Sequence, residues 1–509
     1  MDQHRISTLL LSKREQHVRF SFVRKAGAAL ALIILFDRLF ADSFGGAGVG
    51  VFTGAWLLAI IATRPDIGRA RSSWPGLALA ALFAASLFDE PGMLAWSMFW
   101  CAIAFAALAP RVGRFDDAWH WGVRLFLHGA TGFLRPFTDL RRVTGQRRGV
   151  GASPRLLAAT LALPLLGGIL FLILFAAANP LIEHAFASIQ LPSLWQLALW
   201  TFVACCVWPM LRPGTLALRV ARRVPDLEPI LPGTSLPSVL IALALFNLIF
   251  AVQNALDIAF LWSGGALPDG MTRTDYVHRG AYPLIVTALI AGAMALAMLR
   301  PGSASERDPW ARRLVALWVA QNLVLVASSA LRTVQYIQES MLTSWRIAAL
   351  LWMALVALGL VLICWRILRG RSARWLINCN ALAAGIVLTV CCFVDIEAIA
   401  ARWNVQAADP AKIDLCYLHR SGDSALLPLI ALERRPMDAE KLDRVRYVRT
   451  ELLRDLEKRH ADGRNWTWHG ARRLAAARAI VGPGAPRPLP ANYSRDWCDG
   501  SITPPQVQS

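Results

Sequence analysis

Charged residues are scarce in this sequence, and acidic residues are the scarcer kind. Charged residues make up 17% of the 509 positions, against about 25% in ordinary soluble domains, and 53 Lys and Arg stand against 34 Asp and Glu. With 56% hydrophobic residues, the composition excludes a disordered chain and argues against a purely soluble multidomain enzyme. It is typical of many apolar membrane spans joined by basic loops.

The short motifs of common enzyme chemistry are also missing. There is no P-loop, HExxH pair, CxxC pair, GxSxG elbow or SxxK motif, so no cofactor, metal or catalytic residue is predicted. The adjacent Glu183 and His184 are weak evidence for a metal site. Gly46, Gly50 and Gly54 have the small-xxx-small spacing of close helix packing, which we favour over a dinucleotide-binding pattern.

What the sequence does contain is a series of long apolar runs. A bilayer core about 30 Å thick needs about 20 mainly apolar residues per helix. We count about eleven spans, so the fold class predicted is an all-α, polytopic transmembrane helical bundle. The spans are Ala26–Phe40, Gly45–Ala62, Trp74–Phe88, Met93–Ala109, Leu156–Ala178, Leu194–Leu211, Leu236–Leu261, Ala281–Leu299, Leu314–Ala330, Trp345–Trp365 and Trp375–Val394.

Lys and Arg alternate between the two sides of these spans. Thirty of them fall in the amino-terminal tail and in every second loop, and five fall in the loops between. Because Lys and Arg collect in short cytoplasmic loops, we expect a multi-pass protein of the bacterial inner membrane with its amino terminus in the cytoplasm and its carboxyl terminus in the periplasm. Topology thereby accounts for the basic residues, so nucleic acid is not predicted as a partner.

Three regions follow from this topology. Residues 1–25 form a basic cytoplasmic tail, residues 26–403 the transmembrane domain, and residues 404–509 a small, mostly helical periplasmic region. The cytoplasmic loop 111–155 interleaves aromatic, aliphatic and basic residues over Phe115–Leu140. That pattern is typical of an amphipathic helix on anionic lipid. The alternative is a helix packed against neighbouring spans.

The C-terminal region has its own helical periodicity, most clearly over Asp438–His460. About 100 residues with little apolar content are a marginal fold alone, so we expect this region to dock on the outer membrane face. Of the nine cysteines, only Cys416 and Cys498 lie in it. In an oxidising compartment they are expected to form one disulfide, and two free thiols are the alternative.

Polar residues near the outer ends of the later spans are the candidates for function. A charged group at membrane depth costs several kcal/mol and usually faces the bundle interior or a wet cavity. The predicted topology carries a set of such groups to the outer interface, where they can meet in one ligand-binding cluster. Its residues are Asn254, Asp257, Asp275, Tyr276, Arg279, Arg332, Tyr336, Glu339 and Arg346.

Three interpretations of this cluster are open. The first is a salt-bridge network that fixes helix register. The second is a site for a charged or amphiphilic ligand, in which Arg279, Arg332 and Arg346 bind an anion, since Arg suits carboxylate and phosphate. The third is catalysis, with Asp257 or Asp275 as a general base.

Several short stretches at these residues resemble motifs of a known family. They are Asn254-Ala-Leu-Asp257 followed by Gly264, Gly265 and Pro268, Thr274–Gly280 with His278 in place of an Arg, Arg332…Tyr336…Leu342-Thr343…Arg346, Lys412–Leu418 and Asp462–Trp466. The chain resembles, from about Ala26 to about Leu474, an uncharacterised family of bacterial multi-pass membrane proteins, a domain of unknown function of the DUF4173 type. Ser340 and Met341 stand where that family has Tyr-Gly. The resemblance implies a membrane protein without an established reaction.

The functional hypothesis is therefore non-enzymatic: binding or translocation of an anionic or amphiphilic small molecule through the outward cluster. One alternative is a membrane-embedded transferase or hydrolase that uses the same carboxylates, and another is a non-catalytic envelope scaffold or sensor component. The partners indicated are the lipid bilayer and anionic lipid at the cytoplasmic loop. The sequence identifies neither the small-molecule ligand nor a protein partner.

Overall fold

In the computed structural model the chain is all-α, as predicted. The structure describes residues 3–40, 45–147, 192–225, 235–263, 273–298, 303–482, 484, 486–490 and 494–502, with a few positions between 162 and 170. Side chains are described from residue 21 onward within these ranges, except at 142–147, 273–285 and 464. The described residues form helices and no β-strand, apart from one isolated bridge between Arg495 and Ile502.

The α-helices of four residues or more are numbered here in chain order. They are α1 (Gln3–Phe40), α2 (Ala47–Thr63), α3 (Pro65–Arg69), α4 (Trp74–Asp89), α5 (Met93–Val112), α6 (Ala118–Gly132), α7 (Arg135–Arg147), α8 (Leu194–Leu211), α9 (Leu216–Ala221), α10 (Leu236–Asp257), α11 (Arg273–Met298), α12 (Ala304–Arg307), α13 (Pro309–Ser340), α14 (Ser344–Arg369), α15 (Ala373–Cys391), α16 (Ile396–Ala407), α17 (Leu415–Arg420), α18 (Leu426–Leu432), α19 (Ala439–Ala461) and α20 (Trp468–Val481).

Six described helices are long and apolar enough to cross a membrane, namely α5, α8, α10 with its continuation to Trp262, α13, α14 and α15. Shorter apolar stretches are Ala47–Thr63, Val286–Met298 and Gly422–Leu432. All predicted spans but one overlap a described helix, and the exception, Leu156–Ala178, falls mostly outside the described residues. The structure therefore supports a membrane protein, and the count of eleven spans stays a prediction.

The amino-terminal helices α1, α2, α4, α5 and α8 share one apolar core. Trp56, Phe83 and Phe99 are almost fully buried in it. At Gly50, an added Cβ would lie only 2.3 Å from the backbone of Phe88. Gly50 thus lets α2 and α4 approach closely, whereas a Cβ added at Gly54 would meet nothing within 4 Å.

The helices α10, α11, α13 and α14 share a second core, with Leu243 and Trp318 at its centre. Helix α15 connects the two cores. Near its start, the Asn378 side chain accepts a hydrogen bond from the Ala118 backbone N–H (2.8 Å). Just after its end, the carbonyl oxygen of Cys392 accepts one from the Ser86 hydroxyl (2.6 Å). Both ends of α15 are therefore tied to the amino-terminal core.

One end of the bundle, called the inner end below, is held together by Arg64. This buried guanidinium donates to the carbonyl oxygens of Ala107 (2.9 Å) and Met210 (3.1 Å), and it pairs with Asp66 (2.7 Å). Both carbonyls lie near helix C-termini, where a cation complements the helix dipole. Loops predicted to be cytoplasmic are thus brought together at one end.

The loop predicted to be amphipathic forms α6 and α7 at this inner end. Helix α6 buries Trp121 and His128, while Phe126 and Leu134 are exposed. His128 contacts Met210 through Nε2 and Sδ (3.4 Å), and burial beside several arginines lowers its pKa to about 4. The sequence left open whether this segment packs against neighbouring helices or lies on the lipid surface. In the structure one side of it is packed, and apolar side chains on another side are exposed.

The C-terminal region has a third core, formed by apolar residues from Ala401 to Ala477. It docks on the other end of the bundle, called the outer end below. The Ala47 backbone N–H donates to the carbonyl oxygen of Trp466 (2.7 Å). The Asn404 amide accepts from the N–H of Leu342 (2.6 Å) and donates to its carbonyl oxygen (2.8 Å). The C-terminal region thus joins the start of α2 to the turn between α13 and α14, at the end of the bundle opposite Arg64.

An ionic network adds to this contact. Arg473 of α20 bonds to Asp395 and to Asp423 (2.6 Å), while Arg459 also reaches Asp423 (2.8 Å). Glu90, in the α4–α5 loop, lies at the edge of the network. Burial raises the pKa of its carboxyl group, and Asp395 nearby raises it further.

Candidate functional site

The polar residues predicted to form a cluster lie mainly on α10 and α13, two parallel helices. Asn247 and Asn254 are seven residues apart, and their amides donate to the carbonyl oxygens of Leu314 (3.0 Å) and Gln321 (3.1 Å), which are also seven apart. Seven residues make about two helical turns, so the same face of α10 meets α13 at both levels. The Gln321 amide also donates to Asn247 Oδ1 (2.9 Å).

An ion pair continues this polar face toward the outer end. Asp257 Oδ1 accepts from Arg332 Nη2 and from Gln253 Nε2 (3.1 Å), and the exposed fractions of Asp257 and Arg332 are 0% and 3%. The chain after Asp257 forms a single π turn, Ile258–Trp262, a feature frequent at functional sites. A buried pair of this kind usually marks the bundle interior or a wet cavity.

Three amide oxygens of α10 and α13 accept no hydrogen bond from the described residues. They are Asn254 Oδ1, Gln321 Oε1 and Asn322 Oδ1, all buried. Because buried polar groups are normally hydrogen-bonded, these oxygens are positions where a water or a polar group of a ligand can donate.

Arg346 lies at the outer end of the polar face. Its guanidinium stacks on the Tyr336 ring, with the guanidinium carbon 4.1 Å from the ring centroid. It also donates to the carbonyl oxygens of Ser340 (2.8 Å) and Met341. Tyr336 follows Arg332 by one helical turn, so the two residues share a face. Arg332 faces a carboxylate, whereas no described carboxylate pairs with Arg346, whose charge is available to an anion.

The turn between α13 and α14 positions Arg346 and is itself held by the C-terminal region. Met341 has φ 74° and ψ 160°, Leu342 is bonded to Asn404, and the Thr343 hydroxyl caps α14. The Ser344 N–H donates to the Tyr417 hydroxyl (3.2 Å). The outer polar site, defined as Asn254, Asp257, Arg332, Tyr336 and Arg346, thus borders the docked region.

The structure places the other predicted residues as follows. Glu339 is exposed in the last turn of α13. Asp275, Tyr276 and Arg279 lie in α11, but their side chains are outside the described residues. The sequence marks Asn404 only as the first residue of the C-terminal region, and no sequence pattern indicates its hydrogen bonds to Leu342. Tyr417 lies within Lys412–Leu418, one of the stretches that resemble family motifs. That resemblance is a sequence signal by which this residue could have been found.

Two described groups have the composition of a metal site. Asp116, Asp117 and His120 are close together, as are Cys416, Asp496 and Cys498. Asp117 caps α6 and bonds to His120 Nδ1 (2.7 Å), and Asp116 pairs with Arg124. Cys416 and Cys498 form a disulfide with Cα atoms 4.7 Å apart. Each group therefore has protein contacts that account for its geometry.

Comparison with known proteins gives one match. The model of a family described as "Domain of unknown function (DUF4153)" matches residues 76–432, a segment that contains the whole outer polar site. No curated protein and no solved structure matches the chain. The resemblance to a family of unknown function is confirmed, although its number is DUF4153 and not DUF4173. The chain belongs to the DUF4153 family.

Proposed function

We propose that this protein is an integral protein of the bacterial inner membrane that binds, and passes across the membrane, an anionic or amphiphilic small molecule. The ligand's anionic group binds at Arg346 and its polar remainder at the outer polar site. The observation that carries the proposal is the position of Arg346. It is the outermost guanidinium of a buried polar face, and no described carboxylate pairs with it.

Arg332 and Arg346 differ in their partners, and this difference supports ligand binding over a purely structural network. Asp257 already neutralises Arg332, which removes the cost of burying that charge. Arg346 has only carbonyl and ring contacts among the described residues, and a guanidinium is well suited to carboxylate and phosphate. An anion bound at Arg346 would thus neutralise the second arginine of the site, as Asp257 neutralises the first.

Passage through the protein is supported by the inward extent of the polar face. Below the ion pair, the buried oxygens of Asn254 and Gln321 lack described donors, and Asn247 continues the face two turns deeper. Periplasmic orientation of the site is supported by loop charge. The basic loops meet at the inner end around Arg64, and the outer polar site borders the opposite end.

Purified protein in mild detergent can test the site with dodecyl phosphate, an anionic amphiphile, and dodecyltrimethylammonium as its cationic counterpart. Thermal stability measures binding, because a ligand that binds the folded state raises the unfolding midpoint. We expect dodecyl phosphate alone to stabilise the protein. Arg346→Gln should weaken its binding at least tenfold, since a charge-assisted hydrogen bond contributes about 1.5–3 kcal/mol.

Arg402→Gln is the matched control, because Arg402 is an exposed arginine of α16 outside the site. Unchanged binding in Arg402→Gln together with loss in Arg346→Gln supports the proposal. Equal binding in wild type and Arg346→Gln, or equal stabilisation by the cationic amphiphile, contradicts it.

A further inference from the structure

An apolar groove lies on the bundle surface between α11, α14 and α15. Its volume is about 590 Å³, within the range of ligand-binding cavities. Small residues on all three helices line it between larger apolar side chains, namely Gly292, Ala293, Gly359, Ala381 and Ala384, and Asn380 is its single amide. These small residues leave a channel between three helices that would otherwise pack together.

The groove is elongated along the helices. On α14 its lining runs from Trp352 to Ile363, and on α15 from Leu376 to Ala384. At 1.5 Å per residue, these stretches are about 12–17 Å long. Side chains of α15 beside the groove are exposed, Leu382 by 65% and Ile386 by 56%. In a membrane these positions face lipid tails, so the groove opens sideways to the bilayer and suits a single acyl chain.

Arginines gather where the groove reaches the inner end. Arg366 follows Ile363 by one turn of α14, and Arg374 precedes Leu376 on α15, so the α14–α15 turn closes this end. Arg366 is buried and its Nε donates to the carbonyl oxygen of Arg371 (3.2 Å). The exposed arginines of the turn are Arg369, Arg371 and Arg374.

The stretch of sequence around this turn is basic and contains no acidic residue. From residue 340 to residue 394 there is no Asp or Glu. Arg369 stacks on Trp365, with its guanidinium carbon 4.9 Å from the ring centroid, which is the arrangement of aromatic and basic residues at a membrane interface. Basic pockets between membrane helices on the cytoplasmic side bind the phosphates of anionic lipids.

We propose that this groove is a binding site for one anionic phospholipid of the cytoplasmic leaflet. One acyl chain fills the groove between α11, α14 and α15, and the lipid phosphate is bound by Arg369 and Arg371. The site is separate from the outer polar site, since the two lie at opposite ends of α14. A free phosphate would use the arginines but leave the groove empty, whereas a zwitterionic lipid would fill the groove without matching the charge.

Native mass spectrometry of the full-length protein, with added phosphatidylglycerol or phosphatidylcholine, tests this site. Ala381→Phe fills the groove, and the neighbouring Leu382→Phe is its control because Leu382 does not line the groove. The double substitution Arg369→Gln and Arg371→Gln removes the charge. Its control is Arg222→Gln with Arg223→Gln, two exposed arginines of another inner loop.

We expect a one-to-one phosphatidylglycerol adduct that is at least tenfold more abundant than the phosphatidylcholine adduct. Ala381→Phe and the Arg369/Arg371 variant should each reduce it at least tenfold, and both controls should keep it. If Ala381→Phe fails to fold, Ala384→Leu provides a smaller filling of the same groove. An adduct that survives groove filling, one formed equally by phosphatidylcholine, or one displaced by inorganic phosphate alone overturns the proposal. Arg346→Gln should leave this adduct unchanged, which separates the result from that of the outer site.

Discussion

Met341 holds a backbone conformation that only glycine adopts easily. Its φ of 74° and ψ of 160° fall in a region that costs other residues about 1–3 kcal/mol. The side chain, however, packs against the third core, and its Sδ accepts from the Asp414 N–H (3.2 Å). Met341→Ala removes these contacts and keeps the strain, whereas Met341→Gly removes both.

We therefore expect Met341→Gly to be more stable than Met341→Ala by about 1–3 kcal/mol, the reverse of the usual order of Ala and Gly. Thermal or denaturant unfolding of the two variants in detergent measures the difference. A Met341→Ala variant as stable as Met341→Gly would show that this turn is not strained.

Asp257 and Arg332 should behave as a coupled pair. Asp257→Leu or Arg332→Met alone leaves one buried charge without this partner and should lower stability by about 3–5 kcal/mol. Asp257→Leu combined with Arg332→Met removes both charges and should recover most of that loss, because a buried pair and an apolar pair are often similar in stability. The four unfolding midpoints form a double-mutant cycle, and additive losses would contradict the pairing.

The sequence could predict that the residues of the outer polar site lie at a common depth, but it could not predict which of them pair with each other. The alternation of basic loops places Asn254, Asp257 and Arg332 at similar depth, and the structure brings them together on α10 and α13. Depth alone, however, leaves both a salt-bridge network and an anion site open. The choice between these two interpretations depends on which helices are neighbours. The same information is needed to see that Arg332 pairs with Asp257, whereas Arg346 contacts carbonyl oxygens and the Tyr336 ring.

The start of α6 is fixed by an Asp–His cap that depends on pH. Asp117 accepts from the His120 backbone N–H (2.9 Å) and from its ring Nδ1 (2.7 Å). The hydrogen bond to Asp117 raises the pKa of His120, and the carbonyl oxygen of Val224 on Nε2 (3.3 Å) adds to it. A raised folded-state pKa stabilises the fold fully below the unfolded pKa of about 6.5, and this contribution is lost as the pH rises through the folded-state value.

We expect α6 to be better protected from hydrogen exchange at pH 5.5 than at pH 8.5, after correction for intrinsic exchange rates. Asp117→Asn is the informative variant, since Asn still caps a helix but lacks the charge that raises the pKa of His120. Its α6 protection should depend less on pH. An undiminished pH dependence in Asp117→Asn would contradict the role of this pair.

Helix positions were more predictable than helix breaks. The span Leu194–Leu211 coincides with α8, and Trp74–Phe88 differs from α4 by one residue, because apolar runs of this length have few alternatives in a bilayer. The amphipathic stretch Phe115–Leu140, in contrast, is divided into α6 and α7. Pro136 explains the break, since proline suits the first turn of a helix but not its interior.

The C-terminal region connects the two halves of the bundle. It contacts the amino-terminal half at Ala47 and Asp89 and the second half at Leu342 and Ser344. Its polar composition indicated docking in general. The sequence could not specify these contacts, because they join residues far apart in the chain, such as 62 positions for Leu342 and Asn404 and 380 for Asp89 and His469, through single side chains and backbone groups.

The disulfide Cys416–Cys498 closes a loop with a sequence separation of 82 residues. Removing a native disulfide from a small extracellular domain typically costs about 2–5 kcal/mol. Cys498→Ser should therefore destabilise the C-terminal region by that amount, measured by limited proteolysis at increasing temperature. Two free thiols in non-reducing mass spectrometry of membrane-matured protein would contradict the bridge.

We infer from loop charge that the outer polar site and the C-terminal region face the periplasm. The most direct measurement is a pair of reporters fused after Ser509, alkaline phosphatase and green fluorescent protein. We predict that the alkaline phosphatase fusion is active, because the phosphatase matures only outside the cytoplasm, and that the green fluorescent protein fusion is not fluorescent. A fluorescent fusion with an inactive phosphatase would place Ser509 in the cytoplasm and contradict both the orientation and the proposed periplasmic site.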